Sequence, residues 1–246
     1  MDTDARYWNQ IGPHGGWLAA CVLGAIRHRH GPDRVVRSLN VEFMGRVEPG
    51  GFDIDVEPVA QQRSVAFERA VLLQGGKARV QASAVMAAVR SPTVHQLARA
   101  PRIGAAQDHP PLDALDSLAA FPRMFDYRVA CGWPGAESTP GTTSGFVRPR
   151  FERRITPEAL AMLADAWFPA AWSGAAGRTP ASTVSMSLVF GGVDEAVDLG
   201  EDDYLQAHFR TVQLAGGFGD ESGTLWWPDG RLAVNVQQLV WFAAGP

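Results

Sequence analysis

The strongest constraint on the fold is a run of ten apolar or small residues at positions 17–26, directly after Gly15 and Gly16. No polar stripe interrupts this run, so a helix formed here is apolar on every side, which is typical of a helix inside a protein. The run is too short to cross a bilayer. Four basic residues at 27–30, followed by Gly31 and Pro32, are typical of a helix C-terminus. We therefore predict a buried central helix over residues 15–30.

Alternating apolar and polar residues after this helix predict an antiparallel sheet around it. Glycine and proline mark the turns between the alternating stretches, and strands joined in sequence by short turns favour antiparallel pairing. The predicted strands of this half cover residues 35–44, 52–59, 64–73 and 78–89, with a short first strand at 5–9.

The second half repeats this plan without evident sequence identity. Thr156, Pro157 and Glu158 have the composition of a helix start, with an N-cap, a proline at the first helical position and an acid in the first turn. The helix is predicted from Ala159 to about Phe168. Extended segments are predicted at 126–131, 144–155, 182–190, 204–213, 224–227 and 231–242, the last two joined by an Asp229-Gly230 turn. We therefore expect an N-terminal unit at 1–92, a proline-rich interdomain linker at 93–124 and a C-terminal unit at 125–246.

Composition excludes several classes of function. The net charge of −4 does not favour general binding to nucleic acid. Two cysteines, Cys21 and Cys131, lie far apart in apolar stretches and are expected to be reduced. The acidic N-terminus has no apolar signal core, so a cytoplasmic protein without a membrane span is expected. The sequence contains no Cys/His metal cluster, no phosphate-binding glycine loop and no Gly-x-Ser-x-Gly elbow, so no metal, cofactor or serine nucleophile is predicted.

Three stretches resemble the type II acyl-CoA thioesterases and their thioesterase-like relatives. They are residues 14–20 at the start of the central helix, residues 163–165 followed by 182–190, and residues 229–233 leading to 236–238. Their order and spacing extend over almost the whole chain. The resemblance implies an α+β double hot-dog fold, with two antiparallel sheets each wrapping a central helix. It also implies that an acyl-CoA is the substrate, and it does not decide whether the chain forms a homo-oligomer.

The resemblance also implies a set of site residues. In the family, an Asp on the second helix, a Thr on the next strand and a Gln on the last strand hold the attacking water. These positions fall on Asp165, Thr183 and Gln237. A carboxylate in an apolar stretch needs hydrogen-bond donors, and partial desolvation would raise its pKa toward that of a useful base.

The start of the central helix is the candidate oxyanion site. Free amides at a helix N-terminus can hold a developing negative charge, so Gly15 and Gly16 are predicted to face Asp165 across the seam between the halves, with His14 near the ligand. Glycines that serve only turning and packing are an equally weighted alternative.

Two alternatives to a thioesterase follow from the same sequence. Ser185-Met186 replace the family's Asp-His pair, and Gln238 replaces its Glu. These departures favour a second hypothesis, an acyl-CoA-binding or lipid-binding protein without turnover. A hot-dog hydratase is a third option, but the sequence has no Asp-x-Asn-Pro-x-His signature.

Overall fold

The computed structural model of the chain describes residues 1–89, 95–113, 115, 119–134, 139–174, 177–192 and 196–243. Two α-helices and thirteen strands make up this part. The helices are α1 (Gly15–His30) and α2 (Pro157–Ala164). The strands of the first half are β1 (Arg34–Phe43), β2 (Asp53–Gln61), β3 (Val65–Gln74) and β4 (Lys77–Ala88). Those of the second half are β5 (Phe125–Cys131), β6 (Thr142–Pro149), β7 (Arg154–Ile155), β8 (Ala181–Phe190), β9 (Val197–Asp198), β10 (Leu205–Arg210), β11 (Leu214–Ala215), β12 (Phe218–Trp226) and β13 (Leu232–Phe242).

The central helix lies where the sequence predicts it. Leu18, Val22, Leu23 and Ile26 of α1 are buried, and the helix packs on strands β1–β4. It also packs along α2, and this second contact covers the side that a surface helix would leave to water. Gly31 ends α1 with φ of +62°, a conformation that glycine adopts without strain.

The strands of both halves form one antiparallel sheet, which corrects the prediction of two separate sheets. The order is β2-β3-β4-β1-β8-β13-β12-β10-β6-β5, with β11 paired to β12, while β7 and β9 form a small separate pair. β1 and β8 join the halves, with Leu39 opposite Leu188 and Val41 opposite Met186. Without this pairing, β1 and β8 would each be an edge strand with unpaired backbone N–H and C=O groups. Pairing the two strands supplies hydrogen-bond partners for those groups.

Several predicted elements have other bounds in the structure: the predicted strand 144–155 is divided into β6 and β7, 204–213 is shortened to β10, and 224–227 is the end of the longer β12. Residues 5–9 do not form a strand: Ala5–Tyr7 is a 3-10 turn, capped by the Asp4 carboxylate, which accepts the Arg6 N–H. The Thr156 side chain caps α2 as predicted, but α2 ends at Ala164 and not near Phe168. Asp165 is the C-cap of α2, and Pro169 disfavours helical backbone only at Phe168.

The described residues of the predicted linker lie along the seam between the halves. It contributes 3-10 turns at Ala106–Asp108 and Phe121–Met124, and a bridge between Pro111 and Arg128. The boundary predicted at 92/93 lies outside the described residues, so the three-part division remains a prediction. Among the described residues, no helix combines the length and the hydrophobicity that a bilayer crossing requires.

Candidate active site

Asp165 lies where the two halves meet. As the C-cap of α2 it leaves helical geometry, with φ of −108° and ψ of 0°, and its side chain is only 7% exposed. This turn directs the carboxylate toward the N-terminus of α1, which belongs to the other half. A helix N-terminus carries partial positive charge and unpaired N–H groups, so it is a favourable place for a carboxylate.

Three donors from different elements converge on the Asp165 carboxylate. Oδ1 accepts from Thr183 Oγ1 at 2.8 Å and from Gln238 Nε2 at 2.9 Å. Oδ2 accepts the backbone N–H of Gly16 at 2.7 Å. The arrangement therefore fixes a nearly buried carboxylate at the wall of the site.

His14 completes the environment of Asp165. Its Nε2 donates to the Asp165 backbone carbonyl at 2.9 Å and lies 3.3 Å from the carboxylate Oδ2. The ring is 2% exposed and stacks on Phe121 with centroids 4.2 Å apart. Within the described part of the chain, His14 Nδ1 is buried without a hydrogen-bond partner.

The glutamine beside Asp165 is Gln238, which corrects the choice of Gln237. Gln237 is exposed on the opposite face of β13, whereas Gln238 is 5% exposed and faces the core. Side chains alternate along a strand, so neighbouring residues cannot share a face. The sequence alone could have indicated Gln238. It alternates with Val236 and Val240 on one face of the strand, whereas Gln237 lies on the same face as the polar Asn235.

A β-bulge directs Thr183 to Asp165. β8 pairs with β13 through Ser185 and Leu239, and then through Thr183 and Val240, so Val184 is an extra residue on β8. Without that extra residue, Thr183 would lie on the face opposite to Met186 and Leu188. The bulge reverses the alternation and turns the hydroxyl inward, a use of bulges that is common near functional sites.

Gly15 and Gly16 allow Asp165 to approach α1 closely. A Cβ at Gly16 would lie 2.6 Å from the Met162 carbonyl oxygen and 2.9 Å from Asp165 Cβ, and one at Gly15 would lie 2.8 Å from Asp165 Oδ2. The Gly16 N–H is engaged by the carboxylate in this structure and is not directed at open space. The oxyanion role of these glycines remains a prediction.

A cavity of about 450 Å³ opens beside these groups. Both halves and the linker contribute to its wall, which includes Gln10, Arg46, Trp172, Arg178 and Trp241. His14, Gly15, Asp165, Thr183 and Gln238 all line it. The site can therefore receive an organic ligand next to the carboxylate.

Glu221 also lines this cavity, and the sequence reasoning missed it. It lies on β12, directly opposite Gln238 on β13, and is 3% exposed. Burial raises its pKa to about 8, an effect that the Ala170 N–H opposes and the nearby Asp165 charge reinforces. Within the strand Phe218–Trp226, Glu221 lies on the same buried face as Leu225. This alternation could have indicated that Glu221 faces inward.

The described part of the chain contains no cluster of three or more His, Cys, Asp or Glu side chains suited to hold a metal ion. Cys21 and Cys131 are free thiols, and burial raises the pKa of Cys21 to about 12. A thiol with so high a pKa is a weak nucleophile at neutral pH.

Comparison with solved structures shows close similarity over the whole chain. A conserved protein of unknown function with a hot-dog fold from Alicyclobacillus acidocaldarius is 25% identical, with a TM-score of 0.85 over 100% of this chain and 92% of that one. An acyl-CoA thioesterase II from Mycobacterium marinum is 16% identical, with a TM-score of 0.74 over 94% of this chain and 89% of that one. The tesB protein of Mycobacterium avium subspecies paratuberculosis is 20% identical, with a TM-score of 0.71 over 94% and 87%. A search of curated proteins gives no match.

Family models match both halves of the chain. The model of the acyl-CoA thioesterase N-terminal domain matches residues 4–87, and that of the C-terminal domain matches residues 96–242. Together with the hot-dog structures above, these matches show that the chain belongs to the acyl-CoA thioesterase family.

Proposed function

We propose that this protein hydrolyses acyl-CoA thioesters to free acids and CoA by direct attack of water. The observation that carries the proposal is the convergence of Thr183, Gln238 and the Gly16 N–H on the Asp165 carboxylate at the wall of the cavity. No serine elbow occurs in the sequence, and a water nucleophile needs only a base and groups that orient it.

In the proposed reaction, Asp165 accepts a proton from water as the water oxygen attacks the thioester carbonyl carbon. Thr183 and Gln238 hold the base in place and orient the water, because each can exchange a hydrogen bond to Asp165 for one to the water. Collapse of the tetrahedral intermediate breaks the carbon–sulfur bond, and the proton on Asp165 neutralises the departing thiolate directly or through solvent. Fixed geometry of this kind lowers the entropic cost of attack.

The chain plan proposed here is two hot-dog units, the first built on α1 and the second on α2. Each helix packs against strands of its own half, and the halves share one sheet through β1 and β8. The candidate site lies between the units, which accounts for its use of residues from both.

The direct experiment is a thiol-release assay over a panel of acyl-CoAs of different chain length. We expect CoA release with at least one member, at a rate that saturates with substrate. Tight binding of an acyl-CoA without release of free CoA would select the alternative, a non-catalytic acyl-CoA-binding protein. The departures from the family pattern at Ser185-Met186 and at Gln238 support that alternative.

The adjacent glutamines provide a matched pair for testing the site. We expect Gln238→Ala to lower kcat/KM by about 10²-fold, because one of the donors that fix the base is lost. Gln237→Ala removes the same side chain from the outer face of β13 and should leave kcat/KM unchanged. Equal effects of the two substitutions in the thiol-release assay would contradict the assignment of Gln238.

A further inference from the structure

Glu221 is a buried carboxyl group that the proposed hydrolysis does not yet use. It lies in the cavity wall, one strand away from the glutamine that holds Asp165. Residues directly opposite each other on antiparallel strands have Cβ atoms about 5 Å apart. Glu221 and Asp165 line one cavity, and Gln238, which is paired with Glu221 in the sheet, donates to Asp165.

Only one oxygen of Glu221 is engaged by the protein. Oε2 accepts the backbone N–H of Ala170 at 2.5 Å. Within the residues that the structure describes, Oε1 makes no hydrogen bond. Oε1 is not fully buried, so an O–H group on that oxygen can be presented to a ligand in the cavity that Glu221 lines.

The surroundings of Glu221 keep its proton on at neutral pH. Burial is the largest cause of its raised pKa of about 8, and the negative charges of Asp165 and Asp220 add to it. His14 and Arg178 are further charged or titratable groups on the wall of the same cavity. The two carboxyl groups differ in the number of hydrogen bonds they accept from the protein. Asp165 accepts three, whereas Glu221 accepts one.

Stabilisation of the oxyanion needs a donor that the start of α1 does not fully provide. The Gly16 N–H, which the sequence suggested for this task, already donates to Asp165 Oδ2. A neutral carboxylic acid in an apolar site can act as such a donor, because its O–H points at the developing charge and needs no reorganisation.

We propose that the neutral Glu221 carboxyl group donates a hydrogen bond from Oε1 to the thioester carbonyl oxygen and stabilises the oxyanion. This inference rests on the proposed thioester hydrolysis. As water attacks, the carbonyl π electrons move to oxygen, and the Glu221 O–H holds that charge without transferring its proton. When the carbonyl re-forms and the carbon–sulfur bond breaks, Glu221 is unchanged and needs no co-reactant.

Glu221→Gln is the decisive variant. Its amide oxygen can accept the Ala170 N–H, its amide nitrogen can donate to the substrate, and it stays neutral at every accessible pH. For the wild type we expect kcat/KM to fall above about pH 8, approaching tenfold per pH unit, as Glu221 loses its proton and its carboxylate faces the oxyanion. Glu221→Gln should retain activity within about tenfold at pH 7 and should lose this alkaline decline.

Two further variants separate the donor role from a packing role. Glu221→Leu removes the donor and is expected to lose about 10²- to 10³-fold in kcat/KM between pH 6 and 9. Glu42→Gln, an exposed glutamate on β1, should keep the wild-type rate and its alkaline decline. The spontaneous hydrolysis of the thioester by hydroxide is subtracted at each pH.

Thermal unfolding gives a second readout of the same proton. The pKa of Glu221 in the folded state lies above its ordinary value of 4.5, so the folded state holds the proton more tightly, and stability declines as pH rises from about 4.5 to 8. The Tm advantage of Glu221→Gln over the wild type should therefore grow between pH 5 and 8.5.

The outcomes are distinguishable. Persistence of the alkaline decline in Glu221→Gln, or equal activity of the Gln and Leu variants, would overturn the donor role while the proposed hydrolysis stands. Failure of the wild type to release CoA at any pH with any acyl-CoA would overturn both. A Tm difference that does not change with pH would show that Glu221 is not protonated in the folded protein and would also overturn the donor role.

Discussion

Asp165→Asn is expected to lower kcat/KM by about 10³-fold while leaving the fold intact, because an amide cannot accept a proton from the attacking water. The asparagine side chain keeps an oxygen that can accept the Gly16 N–H, so the contact with α1 survives. The amide nitrogen then faces Thr183, whose hydroxyl accepts as well as donates, and Gln238, whose amide can flip to present its oxygen. Steady-state CoA release and far-UV circular dichroism measure the two parts of this prediction.

The control is an aspartate that lies outside the cavity. Asp55 is exposed on β2, and Asp55→Asn should leave both the rate and the circular dichroism spectrum unchanged. Binding of an acyl-CoA to Asp165→Asn should persist, since the cavity wall is otherwise the same. Full activity of Asp165→Asn on the best substrate would remove Asp165 as the base.

Gly16→Ala is expected to destabilise the protein by about 3 kcal/mol, which is the upper part of the usual range for overpacking. The added Cβ would lie 2.6 Å from the Met162 carbonyl oxygen and 2.8 Å from His14 Cε1, and neither can move freely. At the scale typical of a chain this long, the loss corresponds to a Tm lower by about 6–12 °C. The same displacement separates Asp165 from the Gly16 N–H, so CoA release should fall with stability.

Gly24 provides the matched control on the same helix. A Cβ there would meet only Glu158 Cγ, at 3.8 Å, which is an ordinary contact. Gly24→Ala should therefore raise stability by about 0.5–1 kcal/mol, since alanine favours helix more than glycine does. If differential scanning calorimetry gave Gly16→Ala and Gly24→Ala the same Tm, steric contact with Met162 and His14 would not be the reason that position 16 requires glycine.

The sequence predicted the elements of the fold better than their assembly. The bounds of α1 were predicted correctly because an apolar run between a glycine pair and a basic Gly-Pro stop allows few alternatives. The junction between the halves was not predicted, because β1 and β8 each read as an ordinary strand. Only the topology shows that they pair and merge the two sheets into one.

The site shows a similar division. Asp165 and Thr183 were found through resemblance to a family, not from local pattern, since the bulge that turns Thr183 inward has no evident sequence signature. Gln238 could have been chosen over Gln237 by strand parity alone. The raised pKa of Glu221 could not have been predicted from the sequence, because it depends on burial by residues distant in the chain.

The bond between Asp165 and the first turn of α1 makes the base a component of the contact between the halves. If the halves separate transiently, the Gly16 N–H loses the Asp165 carboxylate as its acceptor. The same movement displaces Asp165, the proposed base, from the cavity wall. Loss of turnover on mild heating should therefore precede loss of helical signal. A bound acyl chain that contacts both halves should keep them together on heating. The temperature midpoints for loss of turnover and for loss of helical signal should then coincide.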